Sequence, residues 1–213
     1  MLKRLQFLTA GESHGKGLLG ILDGLPAGLE ITEEYIDHEL KRRQMGHGRG
    51  GRMKIEKDHA EIWCGVRHGK TLASPIGILV KNLDWDNWTD KMSVEPVDKE
   101  IKRVTLPRPG HADLAGIHKY GFDDIRNVLE RSSARETTMR VALGTICRKL
   151  LEEVGINIGS RVVQIHDIKD QTKYEMNPRD LNKAADSSPV RCLDKKVEGD
   201  MIKVIDDAKK SGD

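Results

Sequence analysis

Two histidines stand on turns built from small residues. His14 lies in "GESHG" between two apolar runs, and His111 lies in "RPGHAD", after Pro-Gly and just before Asp113. An imidazole titrates near neutrality, with a reference pKa of roughly 6.5, so either side chain can give or take a proton in a reaction. Each, taken alone, also fits an ordinary loop histidine. A second candidate stretch is "RRQMGHGRGGR", in which Arg42, Arg43, Arg49 and Arg52 surround glycines, with His47 among them. Glycine lets a backbone approach a ligand closely, and guanidinium forks match carboxylate and phosphate oxygens bidentately. Such a loop can hold a small polyanion, touch RNA in the manner of RGG segments, or stay a solvated basic loop. RGG segments come as repeated tracts with aromatics, and here there is one copy, which favours the small polyanion. The third stretch is "ERSSARET", which sets Arg131, Ser132 and Ser133 at the mouth of a helix. Helix N-termini present unpaired amides and a positive dipole end, a setting that binds phosphate. Ser133 is also needed there simply as an N-cap.

The elements that must position these residues are legible in outline. Residues 5–10 and 17–23 read as strands around the His14 turn. A helix follows, with Thr32 as N-cap, Glu33 and Glu34 in its first turn, and Lys41, Arg42 and Arg43 in its last. Gly46 ends it, and Ile36 and Leu40 share its buried face. "AEIWCGV" (60–66) and "IGILVKN" (76–82) read as short strands. Residues 83–110 are polar, carry Trp85 and Trp88, and read as a long functional loop. Ser133 and Glu136 have the spacing of a capping box. The helix beyond them places Met139, Leu143, Ile146, Leu150 and Val154 on one face, and Gly155 closes it. "RVVQI" (161–165) reads as a strand, and "GDMIKVIDDAKKSG" as an amphipathic helix ending at Gly212. Strands and helices mix without clean βαβ alternation, so the expected class is α+β.

Composition excludes several alternatives. With 36 Lys plus Arg against 34 Asp plus Glu the net charge is only +2, which argues against a dedicated nucleic-acid binder. Three dispersed cysteines without CxxC spacing read as reduced thiols. The eight histidines show no HExxH or comparable spacing, so no metal site is expected. No GxGxxG, GxxxxGK[ST] or GxSxG motif is present, which excludes Rossmann, P-loop and α/β-hydrolase sites. The N-terminus is too polar for a signal peptide and no apolar run could span a membrane, so a cytoplasmic protein is expected.

Four long stretches, "GESHGKGLLGILDGLPAG", "RRQMGHGRGGRMKIEKD", "RPGHADLAGIHKYGFDDIR" and "ERSSARETTMRVALGTI", together resemble the chorismate synthase family in order and spacing. The resemblance runs from about residue 5 to the end of the chain. It implies a β-α-β sandwich of antiparallel sheets enclosing helices. It also implies an anti-1,4-elimination of phosphate from 5-enolpyruvylshikimate 3-phosphate, giving chorismate in the shikimate pathway. Reduced FMN is the implied cofactor, NADPH a candidate reductant, and a homotetramer the implied assembly. By motif, His14 is the implied acid for the departing phosphate and His111 the group that handles the flavin's proton. Arg43 and Arg49 match arginines of the anion pocket that takes the substrate or a nicotinamide nucleotide. Arg131, Ser132 and Ser133 match a flavin-contacting segment. Family members continue beyond the position of Asp213, so residues 1–213 are read as the N-terminal portion of one chorismate-synthase domain. A protein that binds flavin or a polyanion without turnover is the rival expectation.

Overall fold

A computed structural model describes residues 4–50 and 55–212. The chain divides into two compact units, one made of Met1–Leu40 and Lys54–Ile146, the other of Lys41–Met53 and Cys147–Asp213. Helices mix with antiparallel sheets throughout, and the fold is α+β.

The first unit contains β1 (Gln6–Gly11), β2 (Gly17–Asp23), β3 (Ala27–Glu30) and most of α1 (Glu33–Gln44). It continues with β4 (Glu61–Cys64), β5 (Val66–Arg67), β6 (Lys70–Leu72) and β7 (Ile76–Lys81). After a long irregular stretch come α2 (Asp113–Tyr120), α3 (Arg126–Ser132) and the larger part of α4 (Thr137–Glu153). One antiparallel sheet has the order β1-β2-β7-β4, and a smaller one the order β3-β6-β5. Alternation along β2 buries Leu18 and Leu22, and β7 adds Ile76, Ile78 and Val80 to the same core. A slip of one residue would turn that set outward, at about 1.5–3 kcal/mol for each large side chain exposed, so the register is firmly specified. Met139 and Leu143 of α4 pack directly on β2. A Cβ added at Gly20 would lie 2.4 Å from Met139 Sδ, so glycine is what lets the helix come this close.

Several sequence expectations hold. Thr32 Oγ1 accepts the Tyr35 N–H at 3.2 Å at the start of α1, and Ile36 and Leu40 are buried. Residues 83–110 form no regular element beyond a single 3-10 turn at Trp85–Asn87. Others are corrected. β3, β5, β6, α2, α3 and a further helix at Pro178–Asp186 are not expected from the sequence, being short elements whose periodicity is too brief to register. The expected capping box does not form: Ser133 Oγ accepts the Arg135 N–H, while the Glu136 carboxylate turns to Thr9 and Arg140. A tertiary partner and an i,i+4 arginine outcompete the backbone amide. Arg131 and Ser132 are also not at a helix mouth but close α3, and Ser133 opens the next 3-10 turn.

The second unit holds the hairpin of β8 (Gln164–Ile165) and β9 (Ile168–Lys169), then α5 (Pro178–Asp186) and α6 (Lys195–Ser211). The strand expected over residues 161–165 shrinks to two residues. Val162 instead donates its N–H to the carbonyl of Arg191. Val190, Cys192 and Met201 form its core, with Ile165, Ile168 and Ile205 packed against them. Buried Asp170 ties the hairpin down by accepting from Arg161 Nη1 at 2.8 Å and from the Leu193 N–H at 2.7 Å. Helix α6 starts at Asp194, whose side chain accepts the Lys196 N–H, and stops at Gly212 in the left-handed region.

Candidate functional site

His14 sits in the loop that joins β1 to β2. Gly11 opens that loop at φ +98°, and a Cβ there would collide with Gly17 O at 2.4 Å. The loop is then pinned from below by a buried polar network. Asn82 Nδ2 donates to the carbonyls of Glu12 (3.1 Å) and Gly15 (2.7 Å), and Asn82 N–H donates to Lys16 O. Arg135, which is almost wholly buried, orients Asn82 by donating from Nε to its Oδ1 at 2.9 Å. The Arg135 charge is matched by two equally buried carboxylates, Asp58 and Glu56. A buried guanidinium is tolerated only when paired and fully hydrogen-bonded in this way.

The far side of the loop is held by α3. Ser13 N–H donates to Glu130 O at 2.9 Å, and His14 N–H donates to Glu130 Oε2 at 2.8 Å. The His14 ring presents Nδ1 to the same carboxylate at 2.9 and 3.0 Å. Trp88 stacks on that ring with centroids 3.8 Å apart, and Arg126 and Lys91 approach the indole. Arg126 Nη1 also donates to Glu130 Oε1 at 3.1 Å. Burial alone would push the Glu130 carboxyl upward; hydrogen bonds from His14 and the Arg126 charge more than offset this, and it lies below its ordinary value.

His111 lies on the turn before α2, and its setting is local. Its Nδ1 is 2.6 Å from Asp113 Oδ1, and Arg108 Nη2 is 3.2 Å from its Nε2. Asp113 is fully buried and accepts from Arg108 through Nε (2.9 Å) and the backbone N–H (3.1 Å). The Arg108 guanidinium holds the Asp113 carboxyl far below the usual carboxylate range, against the opposing effect of burial.

Arg131, Ser132 and Ser133 line one cavity of about 600 Å³, together with Lys119, Arg140 and Thr137. That volume is within the range of small-molecule sites. Arg131 Nη2 donates to Thr9 O (2.8 Å) and Thr9 Oγ1 (2.7 Å). Its Nη1 is buried and has no hydrogen-bond partner among the described residues. Ser133 Oγ donates to Ser13 Oγ at 3.1 Å, which links this cavity wall to the residue before His14. Neither histidine lines the cavity itself, although Ala112, next to His111, does.

Arg43 and Arg49 belong to the second unit. Arg49 Nε donates to Met45 O at 3.0 Å, which closes the turn after α1. Neighbouring Arg42 is held by Asp186 at 2.7 Å and Asn182 at 2.9 Å, a structural role within that unit. Arg52 lies outside the described residues. Sequence reasoning missed Glu130, Asn82 and Arg135. Glu130 and Arg135 do fall inside "ERSSARET", and their positions on buried helix faces are a signal that charged residues there have partners.

The chain is similar in sequence and fold to known proteins. The family model for chorismate synthase matches residues 5–213. The chain belongs to the chorismate synthase family. The chorismate synthase of Enterococcus faecalis is 54% identical over 212 residues, and that of Listeria welshimeri 52%; each alignment covers 98% of this chain and 55% of the relative. A crystal structure of a chorismate synthase superposes with a TM-score of 0.74 at 41% identity, over 100% of this chain and 56% of that one. The chain therefore spans about 55% of the length of the chorismate synthases it matches. Among the described residues no helix is long and apolar enough to cross a membrane.

Proposed function

We propose that the chain carries the proton-donor and anion-binding part of a chorismate synthase. This enzyme is a carbon–oxygen lyase that eliminates phosphate from 5-enolpyruvylshikimate 3-phosphate to give chorismate in the shikimate pathway. The observation that carries this reading is the pairing of His14 with a cationic cavity one hydrogen bond away, through Ser13 and Ser133. The substrate bears a phosphate and two carboxylates, and fixed guanidinium groups are what binding it requires. Arg43 and Arg49 are assigned to substrate or nicotinamide nucleotide by motif.

The cavity residues suit reduced FMN. Arg131, Lys119 and Arg140 line the cavity with positive charge, and Ser132 and Ser133 line it with hydroxyl groups. Arg131, Ser132 and Ser133 would hold the cofactor, which supplies transient electron density to the substrate as its C–O bond breaks. Of the two ring nitrogens of His14, Nδ1 is the one with a hydrogen-bond partner among the described residues, so Nε2 is the nitrogen that can pass a proton to the departing phosphate. A general acid and fixed positive charge both help a phosphate leave carbon. His111, with Nδ1 on Asp113, would take up or release a proton at Nε2, beside which Arg108 Nη2 stands at 3.2 Å. NADPH as reductant, a homotetramer and a cytoplasmic location belong to the same reading.

The test is turnover in the protein expressed at its natural length. His14→Ala and His111→Ala should each lower kcat by about 10²–10⁴-fold, the usual range for a lost acid–base group, with flavin affinity little changed. Turnover near that of the parent in either variant would remove that residue from the mechanism. Flavin binding by the unsubstituted protein without any product would favour the binding-only reading.

A further inference from the structure

Glu130 does more than close a loop. Its side chain is 2% exposed, yet its oxygens and carbonyl make four contacts with the two residues Ser13 and His14. The carboxylate spans both the backbone N–H and the ring Nδ1 of His14. Trp88, stacked 3.8 Å away at 26°, stops the ring from swinging off that partner. Arg126 balances the buried negative charge at 3.1 Å. A neutral imidazole carries its hydrogen on one nitrogen only, and an ionised carboxylate can accept but not donate.

We infer that Glu130 is a positioning residue that fixes the tautomer of His14: its carboxylate accepts Nδ1–H, so Nε2 is the nitrogen that gains and loses the proton. Free histidine prefers the opposite tautomer, with hydrogen on Nε2, so without Glu130 a neutral ring would offer its bare nitrogen to the wrong side. The inference rests on the reading of His14 as proton donor but can be tested apart from it. The competing account is that Glu130 merely anchors the loop through the His14 N–H. Glutamine separates the two, because its carbonyl oxygen can still accept that backbone hydrogen while the side chain no longer demands a hydrogen from Nδ1.

The experiment uses ¹⁵N-histidine-labelled protein of natural length. The His14 ring signals are assigned by their loss in His14→Gln and read at a pH where the ring is neutral. The expected result is a protonated Nδ1 and a bare Nε2 in the parent, shifting toward the Nε2–H form in Glu130→Gln. Turnover in that variant should fall by about 10²–10⁴-fold, with KM for the substrate within a few-fold, as when a catalytic histidine loses its orienting carboxylate. An Nε2–H tautomer in the parent overturns the proposal without any variant, which covers the case in which Glu130→Gln does not fold. An unchanged tautomer in Glu130→Gln overturns it as well. A shifted tautomer with undiminished turnover would uphold the role of Glu130 and sink the proton-donor reading of His14 instead.

Discussion

The turn at His14 and the turn at His111 solve one problem in opposite ways. Each sets an imidazole Nδ1 on a buried carboxylate that an arginine also holds. At His111 the three residues lie within six positions, with Asp113 two residues on and Arg108 three before. At His14 the carboxylate comes from 116 residues away, and the loop beneath is held by Asn82 and Arg135 from two further segments. The first arrangement is local and survives as long as one turn does. The second exists only when the sheet, α3 and the start of α4 are all in place. An imidazole held by long-range closure is more exposed to remote mutation.

The largest expected effect tests that dependence. Arg135→Met should cost about 3–5 kcal/mol, because it leaves Glu56 and Asp58 as uncompensated buried carboxylates. Urea denaturation measures the loss, and hydrogen exchange should show faster amides at residues 12–16 with those at 108–113 unchanged. Equal acceleration at both turns would break the contrast. A smaller effect is expected at the local turn. Asp113→Asn should cost about 1–2 kcal/mol, since its partner Arg108 is half exposed and screened. The sign with pH follows from a depressed folded pKa. The Asp113 contribution is complete above the unfolded carboxylate value of roughly 3.9 and is lost as pH falls below it. The gap between parent and variant should therefore narrow on acidification below about pH 4, and a constant gap would show that the charge is not what stabilises the turn.

His59 supplies the weakest case. Its Nδ1 is 2.5 Å from Asp37, but its side chain is 54% exposed. The hydrogen bond to Asp37 raises its pKa, so its contribution is present below the ordinary value of roughly 6.5 and fades as pH rises through the folded one. His59→Gln should cost less than about 1 kcal/mol at pH 6 and nothing measurable in alkaline solution. A thermal-shift series across that range decides it. A loss as large as that at Asp113 would mean that burial is not what separates these pairs.

What could be read in advance follows the same division between near and far. The neighbourhood of His111 and Asp113 is visible in "RPGHAD", and so are the ends of α1, because Thr32, the glutamates and the last-turn cations act within a few residues. The capping box at Ser133 failed for the complementary reason. Its spacing is local, but Thr9 and Arg140 compete for Glu136, and Thr9 is 127 residues away. The placement of Arg131 and Ser132 failed because α3 is a seven-residue helix with no side-chain cap to announce it.

By itself the sequence determined the strands around His14, the two long helices that follow the 3.6-residue period, the α+β class and the residue types able to move a proton or hold an anion. These depend on backbone propensity and on contacts a few residues apart. Only the tertiary structure decided which carboxylate meets His14, that Arg135 is buried beneath it, and that Arg131 lines a cavity while its Nη2 holds Thr9. Those pairings close chain segments of fifty to more than a hundred residues, where no periodicity reports which partner will arrive. They are selected by the packing of α3 and α4 against the sheet, which brings these few polar groups within reach and shields them from water.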